Sequence, residues 1–522
     1  MTIAKKAVSN FLNRELDDWT FLKHWRRRDL LKELRQLPMR PHITSPYKHW
    51  DHQLVGLLLC CLLDSFLLFL DVGSGKTRVL LEAFAYRRRR GQASRALIVV
   101  LNDVNAFSWE DEVAEHTPQF KAAVLIGSGV ARWKLLQTSD AHIFIISFAG
   151  LRAMLSKKTV NKKKATEANQ TAVKKLCRIV DWVAYDEIHK CKNHKSLTYS
   201  ICKGISKWVQ YRYGATGTAF GRNPEDLWAE FLIVDKGETL GTTLGLFRAG
   251  FFNEKRGFGG WKEWSFDKRL RKLFRKTLRN RSLYYSDNEI GDMPRRKKQT
   301  ILLRPPKELS KFYNEALESL QNAARDEELE NNWVRLRMIC SGFVSYTGED
   351  NDKIRVELPN NPKLGALEEF VEQVPLDWKG IIVHEFVYSG LIVERVLKEL
   401  GYAFFSLNGS VSPADKKEVY RAFRKEPDCR FLVMNWRSGG AGGNYQIAPY
   451  MHFYESPVSP IERKQVEGRI RRRNSKVGRV HYTDPIIKGS VEEDILGFLK
   501  EGRNLYKELM QSGKRRRTVR KI

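Results

Sequence analysis

From about Tyr47 to Val234, short apolar runs alternate with amphipathic stretches. Ala96–Leu101 (ALIVVL), His142–Ser147 (HIFIIS), Ile179–Tyr185 (IVDWVAY) and Trp208–Tyr213 (WVQYRY) have the length and composition of strands. Leu80–Arg90, Trp109–His116 and Leu197–Lys207 read as helices. Strands alternating with helices predict a parallel sheet covered on both faces. The most apolar stretch, Leu54–Leu70, is short for a membrane span and is split by Asp64-Ser65. It predicts a helix, a tight turn and a buried strand instead. The alternation returns later in the chain. Gly380–His384, Ala403–Leu407, Phe431–Asn435, Tyr450–Tyr454 and Arg479–Thr483 read as strands. Ser389–Gly401, Pro413–Arg424 and Pro460–Arg472 read as helices. The expected fold class is α/β: two parallel-sheet blocks in tandem with a basic, helical insertion between them.

The connecting segments break this pattern. Residues 1–45 are charged and helical in pattern, with a basic knot at Lys23–Arg28. Ser156–Leu176 holds seven Lys against one Glu and reads as a solvated, mobile loop. Trp261–Arg281 holds nine basic residues against two acidic. Leu270, Phe274 and Leu278 recur there at i, i+4, i+8, which predicts one helix with a single apolar stripe. It is either a charged surface helix or an element that contacts phosphates. The chain ends on GKRRRTVRKI, Gly513–Ile522. The expected division is 1–45, 46–234, 235–300, 301–500 and 501–522.

With 522 residues the chain has room for about three domains. Apolar residues are 42% and aromatics 11%, enough for sizeable cores. Lys plus Arg is 91 against 61 Asp plus Glu, a formal charge of +30, which implies polyanionic partners. Seven cysteines without framework spacing fit a reducing compartment. No secretory signal is expected in the N-terminal stretch, which has no apolar segment. His189, Cys191, His194 and Cys202 lack the spacing of a zinc finger, and no zinc site is assigned to them. Arg87–Arg90 and the terminal basic run fit non-specific phosphate binding as well as nuclear import.

Three segments carry chemistry. Leu70-Asp71-Val72-Gly73-Ser74-Gly75-Lys76-Thr77 stands between a predicted strand and a predicted helix, the context of a phosphate loop. Gly73 and Gly75 let backbone amides turn toward one point, and the helix N-terminus adds a positive dipole end. Lys76 would reach the β/γ-phosphates of a nucleotide such as ATP, and the Thr77 hydroxyl would hold Mg²⁺. Leu70 stands where the full pattern has Gly. Asp186-Glu187-Ile188-His189 follows the strand Ile179–Tyr185. Asp186 is the expected second Mg²⁺ anchor, and Glu187 would orient or deprotonate the attacking water. In Gln465–Arg472 (QVEGRIRR), Arg469 and Arg472 are three apart on a predicted helix and would share one face. Such arginines neutralise charge on a transferring phosphate and are worth ~10³–10⁵ in rate. Just upstream, Ser438–Asn444 packs four Gly into a short loop, which allows close backbone approach to a ligand.

Together and in order, these segments resemble the motifs of superfamily 2 helicases, and most closely the Swi/Snf-related branch. Tyr47–Leu57 resembles the upstream adenine-reading segment, with Gln53 as the residue that contacts the base. Ala96–Glu112 resembles motif Ia with its Trp-x-x-Glu, Ile143–Leu151 the next DNA-facing motif, and Gly214–Thr218 (GATGT) motif III. Ser341–Phe343 and Asn361–Leu364 match the approach to the second lobe. Gly380–Phe386 resembles motif IV, Arg437–Tyr445 motif V, and Gln465–Arg472 motif VI. Leu101-Asn102 replaces the usual Pro of motif Ia, Gly443 and Tyr445 stand where motif V favours Leu, and Lys416 replaces an Arg.

The resemblance implies two RecA-like lobes, with ATP and Mg²⁺ between them. It implies Lys76, Glu187, Gln465, Arg469 and Arg472 as catalytic residues. Gln53, Gly73, Ser74, Gly75, Lys76, Thr77 and Asp186 would bind the nucleotide, with Thr77 and Asp186 on the metal. The implied function is an ATP-driven motor on DNA, duplex favoured and single strands possible. A strand-separating helicase and a non-enzymatic basic scaffold are the alternatives. A monomer with no membrane partner is expected, in the cytoplasm of a bacterium or phage-infected cell, or in a nucleus if eukaryotic. The chain resembles the compact bacterial or phage-encoded members.

Overall fold

Ser65–Leu70 (SFLLFL) is buried at all six positions, which a strand achieves only inside a sheet covered on both faces. The computed structural model describes residues 29–43, 45–158, 165–217, 224–256, 262–285, 289–290, 293–323, 325–348, 352–437, 445–472 and 477–502. The basic knot Lys23–Arg28, the glycine loop Ser438–Asn444 and the terminal run Gly513–Ile522 lie outside them. The chain divides into two units, Met1–Gly291 and Asp292–Ile522.

The main sheet of the first unit is made of β1 Ser65–Leu70, β2 Ala96–Val100, β3 Ala122–Val124, β4 Ile143–Ser147, β5 Trp182–Asp186, β6 Tyr211–Thr216 and β7 Ser282–Tyr285. They form one sheet in the order β7-β1-β6-β5-β2-β4-β3, parallel throughout. Side chains alternate between faces as the pleat requires. Leu67 and Phe69 enter a cluster with Val99, Tyr185 and Phe231. Phe66, Leu68 and Leu70 enter another with Leu57, Leu80 and Phe84. Register decides where the loops lie: Phe69 pairs with Thr216, and Ala215 with Asp186. The carboxyl ends of β1, β6 and β5 therefore open side by side at one edge, where parallel α/β sheets bind ligands.

Several boundaries differ from those expected. The helix Leu197–Trp208 absorbs Trp208, and the strand begins only at Tyr211, because the Val209 amide still bonds back to the Ile205 carbonyl. The described parts of Ser156–Leu176 are not loop. Ser156–Lys158 pairs antiparallel with Ala165–Ala168, and the helix Gln170–Cys177 buries Val173 and Leu176. Trp261–Arg281 is not one helix. Lys262–Phe266 is a strand paired with Phe252–Arg256, and the helix is confined to Arg271–Leu278. Asp267 ends the strand by accepting from the Arg269 amide at 3.0 Å. Phe274 and Leu278 point into the first unit's core, and β7 lies on the edge of its sheet. Most of the expected 235–300 insertion is thus part of the first unit.

The second unit holds β8 Arg295–Leu303, β9 Gly380–His384, β10 Phe404–Leu407, β11 Phe431–Asn435, β12 Tyr450–Phe453 and β13 Arg479–Ile487. Their order is β8-β13-β12-β9-β11-β10, again parallel throughout. β8 opens with four consecutive cations, Arg295–Lys298, which suits an edge strand because charge discourages pairing with another chain. Ile381, Val383 and Leu432 fill one face, Ile382, Phe431 and Val433 the other. A helical pair, Lys307–Asn322 and Asp326–Cys340, closes a third cluster with the helix Val491–Lys500. Among the described residues no helix is long and apolar enough to cross a membrane.

Candidate active site

The loop between β1 and the helix Lys76–Arg89 turns through two left-handed glycines, Gly73 (φ +83°) and Gly75 (φ +81°). Gly75 is favoured for a second reason. A Cβ there would sit 2.1 Å from Gln53 Nε2. That amide nitrogen donates to the Ser74 carbonyl at 2.9 Å, while Gln53 Oε1 accepts from the Trp50 amide at 3.0 Å. His52 Nε2 lies 3.0 Å from the same carbonyl. Gln53 therefore braces the phosphate loop itself, with both ends of its amide on main-chain atoms. Lys76 Nζ donates to the Leu70 and Asp71 carbonyls at 2.9 and 3.1 Å, and Thr77 is half-buried in the first turn of the helix. Ser74 Oγ is buried with no partner among the described residues.

Asp186 ends β5, and its Oδ2 accepts from the Trp109 indole at 2.9 Å. Burial, and then the neighbouring Glu187 charge, push Asp186 up to about 6, against the pull of Lys76 and the indole. Glu187 follows with a left-handed backbone (φ +56°, ψ +50°), uncommon for a side chain with a Cβ. Its Oε2 accepts from Thr216 Oγ1 at 2.9 Å and lies 3.2 Å from His189 Nδ1. That ring nitrogen is also 3.1 Å from Thr216 Oγ1. Burial pushes Glu187 up, but the hydrogen bond and charge of His189, with Lys76 and Thr216, overcome it and hold the carboxyl at about 2. Gly217, next after Thr216, lies against Val72 of the phosphate loop: a Cβ there would be 3.0 Å from Val72 Cγ2. Lys76, Asp186, Glu187, His189 and Thr216 thus form one electrostatic cluster at the sheet edge.

The residues fit a magnesium–triphosphate group. A cradle in which a Cβ on Gly75 would crowd Gln53, an ammonium, a hydroxyl and a half-buried carboxylate are the groups it requires.

Gln465, Arg469 and Arg472 belong to the second unit. The helix expected over Pro460–Arg472 stops at Glu467. Gly468 caps it, Arg469 lies in the following turn, and Arg472 lies beyond the turn, so the two arginines do not share a helix face. The cause is burial: Ile470 is fully enclosed, and Arg471 is drawn in to donate to the Pro294 carbonyl at 2.7 Å. Gln465 is half-buried on a helix held by Arg463, whose guanidinium meets both oxygens of Asp484 (2.5 and 2.8 Å) and Glu467 (2.8 Å). At the end of β9, Glu385 accepts from buried Arg337 and exposed Arg437, each at 2.6 Å.

Three contacts were not readable from the sequence: Trp109 on Asp186, Thr216 on Glu187, and His52 on the phosphate loop. Trp109 and Thr216 lie in segments singled out as motif Ia and motif III, so the segments were visible and the partners were not.

Comparison with known proteins gives two family matches, the SNF2-related domain over residues 51–342 and the helicase conserved C-terminal domain over residues 363–474. The TATA-binding protein-associated factor MOT1 of Saccharomyces cerevisiae is 24% identical over 509 residues, spanning 83% of this chain and 26% of that protein. The transcription regulatory protein SNF2 of the same yeast is 23% identical over 497 residues, spanning 85% of this chain and 26% of that protein. The chain therefore spans about a quarter of the length of these relatives. The solved Sulfolobus solfataricus SWI2/SNF2 ATPase core in complex with dsDNA covers 92% of this chain and 99% of its own, at 19% identity and a TM-score of 0.41.

Proposed function

Because this chain belongs to the SNF2-related family, we propose that it is an ATP-driven motor on nucleic acid, a double-stranded-DNA-stimulated ATPase and translocase. The observation that carries the reading is the cluster at the edge of the first sheet, where Lys76 of the phosphate loop shares one electrostatic environment with Asp186 and Glu187.

In this reading the amides of Gly73–Thr77 and the Lys76 ammonium bind the β/γ-phosphates. Thr77 and Asp186 hold Mg²⁺, which when bound neutralises phosphate charge. Trp109 fixes one Asp186 oxygen and so sets the direction of the other. Glu187, ionised throughout the neutral range, is a weak base. It is better suited to accept a hydrogen bond from the attacking water and aim it than to keep its proton. Thr216 and His189 hold that carboxylate in place, so a change at motif III reaches the hydrolytic residue through a single hydrogen bond. Gln465, Arg469 and Arg472 are assigned to the phosphate that is transferred. The +30 charge and the exposed cations of the helix Arg271–Leu278 support duplex DNA as the track.

The test is ATP hydrolysis titrated with duplex DNA, single-stranded DNA and RNA at fixed salt. Duplex DNA raises the rate; a rate indifferent to every nucleic acid refutes the motor. Displacement of a triplex-forming strand without unwinding of a fork separates translocation from helicase action.

A further inference from the structure

The helix Asp226–Asp235 packs on the 3₁₀ turn Ile188–Cys191, which directly follows Glu187 and contains His189. Its central residues are apolar (Leu227, Trp228, Ala229, Phe231, Leu232, Ile233, Val234) with one exception. Glu230 stands among them, 2% exposed, and its Oε2 has no hydrogen-bond partner among the described residues. A hydrocarbon side chain would fill that position without stranding a polar atom.

The groups that face it come from several elements. Asp226 is one helical turn earlier on its own helix. Glu187 precedes the 3₁₀ turn, Cys191 ends it, and Lys192 follows, bonded at 3.0 Å to Asp226. Tyr199 and Cys202 belong to the helix Leu197–Trp208, which packs on the same helix. Arg212 of β6 reaches only its far end, at the Val234 carbonyl. An ionised carboxylate enclosed here would meet two acidic neighbours and one lysine already paired. Burial first, then Asp226 and Glu187, raise Glu230 to about 8 against the opposing pull of Lys192.

We propose that Glu230 is a positioning residue for Glu187: as the neutral acid it lets its helix close against the Glu187–His189 turn, and loss of its proton drives a second negative charge against that turn and disables it. This rests on the assignment of Glu187 to hydrolysis. A residue outside the phosphate loop would then set the alkaline limit of the motor.

The experiment compares the full chain with Glu230→Gln and Glu230→Leu. DNA-stimulated ATPase and the thermal midpoint are each measured from pH 6 to 9.5 at constant ionic strength. Wild-type turnover falls above about pH 8 along a one-proton limb, by about tenfold per pH unit. Glu230→Gln imitates the protonated acid and loses that limb; Glu230→Leu loses it too. A purely structural role shifts turnover at every pH and leaves the limb in place. A wild-type profile flat to pH 9.5, or an unchanged limb in both variants, overturns the proposal and leaves the motor reading intact.

The thermal arm reads the same proton without hydrolysis. A carboxyl raised on folding favours the native state below its unfolded pKa and loses that advantage as pH climbs through its folded one. The wild-type midpoint therefore falls between pH 6 and 9 more steeply than either variant's, and identical slopes refute the buried proton. A Glu187→Gln chain that still hydrolyses ATP refutes the Glu187 assignment instead, whatever the thermal slopes.

Discussion

At the residue scale, the carboxylate proposed to aim the attacking water depends on what holds it. Glu187 pairs a left-handed backbone with a side chain anchored by Thr216 and His189, so the strain at φ +56° is maintained by contacts on its other end. Thr216→Val keeps the shape and removes the hydroxyl. A hydrogen bond to a charged group contributes about 1.5–3 kcal/mol, so turnover should fall about 10–100-fold. ATP affinity, measured with a fluorescent analogue, should change little, because the hydrogen bond that is lost is the one to the Glu187 carboxylate. A parallel loss of binding and turnover refutes the anchoring role. The glycines offer a matched pair. Gly75→Ala meets Gln53 at 2.1 Å in addition to its φ of +81°, and ATP binding should drop by at least about tenfold. Gly91→Ala has a φ of +67° with nothing within 4 Å. It should lower stability by about 1–2 kcal/mol and leave ATP binding alone. Equal ATP affinity in the two variants refutes the brace formed by Gln53.

At the element scale, the helix Arg271–Leu278 has one face in the core and its cations outside, the arrangement both sequence alternatives require, and its contact with phosphates is the part to be tested. Its Phe274 and Leu278 are buried in the first core, and Lys272, Arg275 and Lys276 are exposed. Phe274→Ala should therefore destabilise the first unit by about 3–5 kcal/mol in denaturant titration. Replacing the three cations with Ala should leave stability nearly unchanged and flatten the salt dependence of DNA affinity by about 0.9 for each phosphate no longer neutralised. A salt slope equal to that of wild type would make the helix structural only. This element also marks the limit of sequence reading. The i, i+4, i+8 stripe correctly gave the face that is buried, but nothing in it disclosed that Asp267 ends a strand just before the helix. The parallel strands were legible because fully buried strands are continuous apolar runs. The arginine turn was not. Whether Pro460–Arg472 stays helical is decided by the burial of Ile470 and the pull of the Pro294 carbonyl on Arg471, and Pro294 and residues that enclose Ile470, such as Ile381, lie far away in sequence. The phosphate loop and Asp186-Glu187 were legible as local motifs. Their braces come from other elements, Trp109 from the helix Asp103–His116 and Thr216 from the end of β6, and became visible only once the fold brought those elements beside the end of β5.

At the scale of the whole molecule, each unit closes its own hydrophobic clusters around its own parallel sheet. Unfolding need not then be a single all-or-none event, and each core can be probed alone. Phe231 is fully buried in the first unit and Phe423 in the second. Truncation of either to Ala removes about 3–5 kcal/mol. In a domain of this size that displaces a thermal transition by roughly 10 °C. Calorimetry of the full chain should show two transitions, with Phe231→Ala moving one and Phe423→Ala the other. Saturating ATP and Mg²⁺ should raise the transition that Phe231→Ala lowers, because Lys76, Thr77 and Asp186 all belong to that unit and ligand binding stabilises the state that binds. Lys76→Ala should abolish the shift. If ATP instead moves only the transition sensitive to Phe423, the phosphate loop is not where the nucleotide binds. Both transitions falling together in either core variant would mean that the units fold as one, despite the separate clusters that each closes.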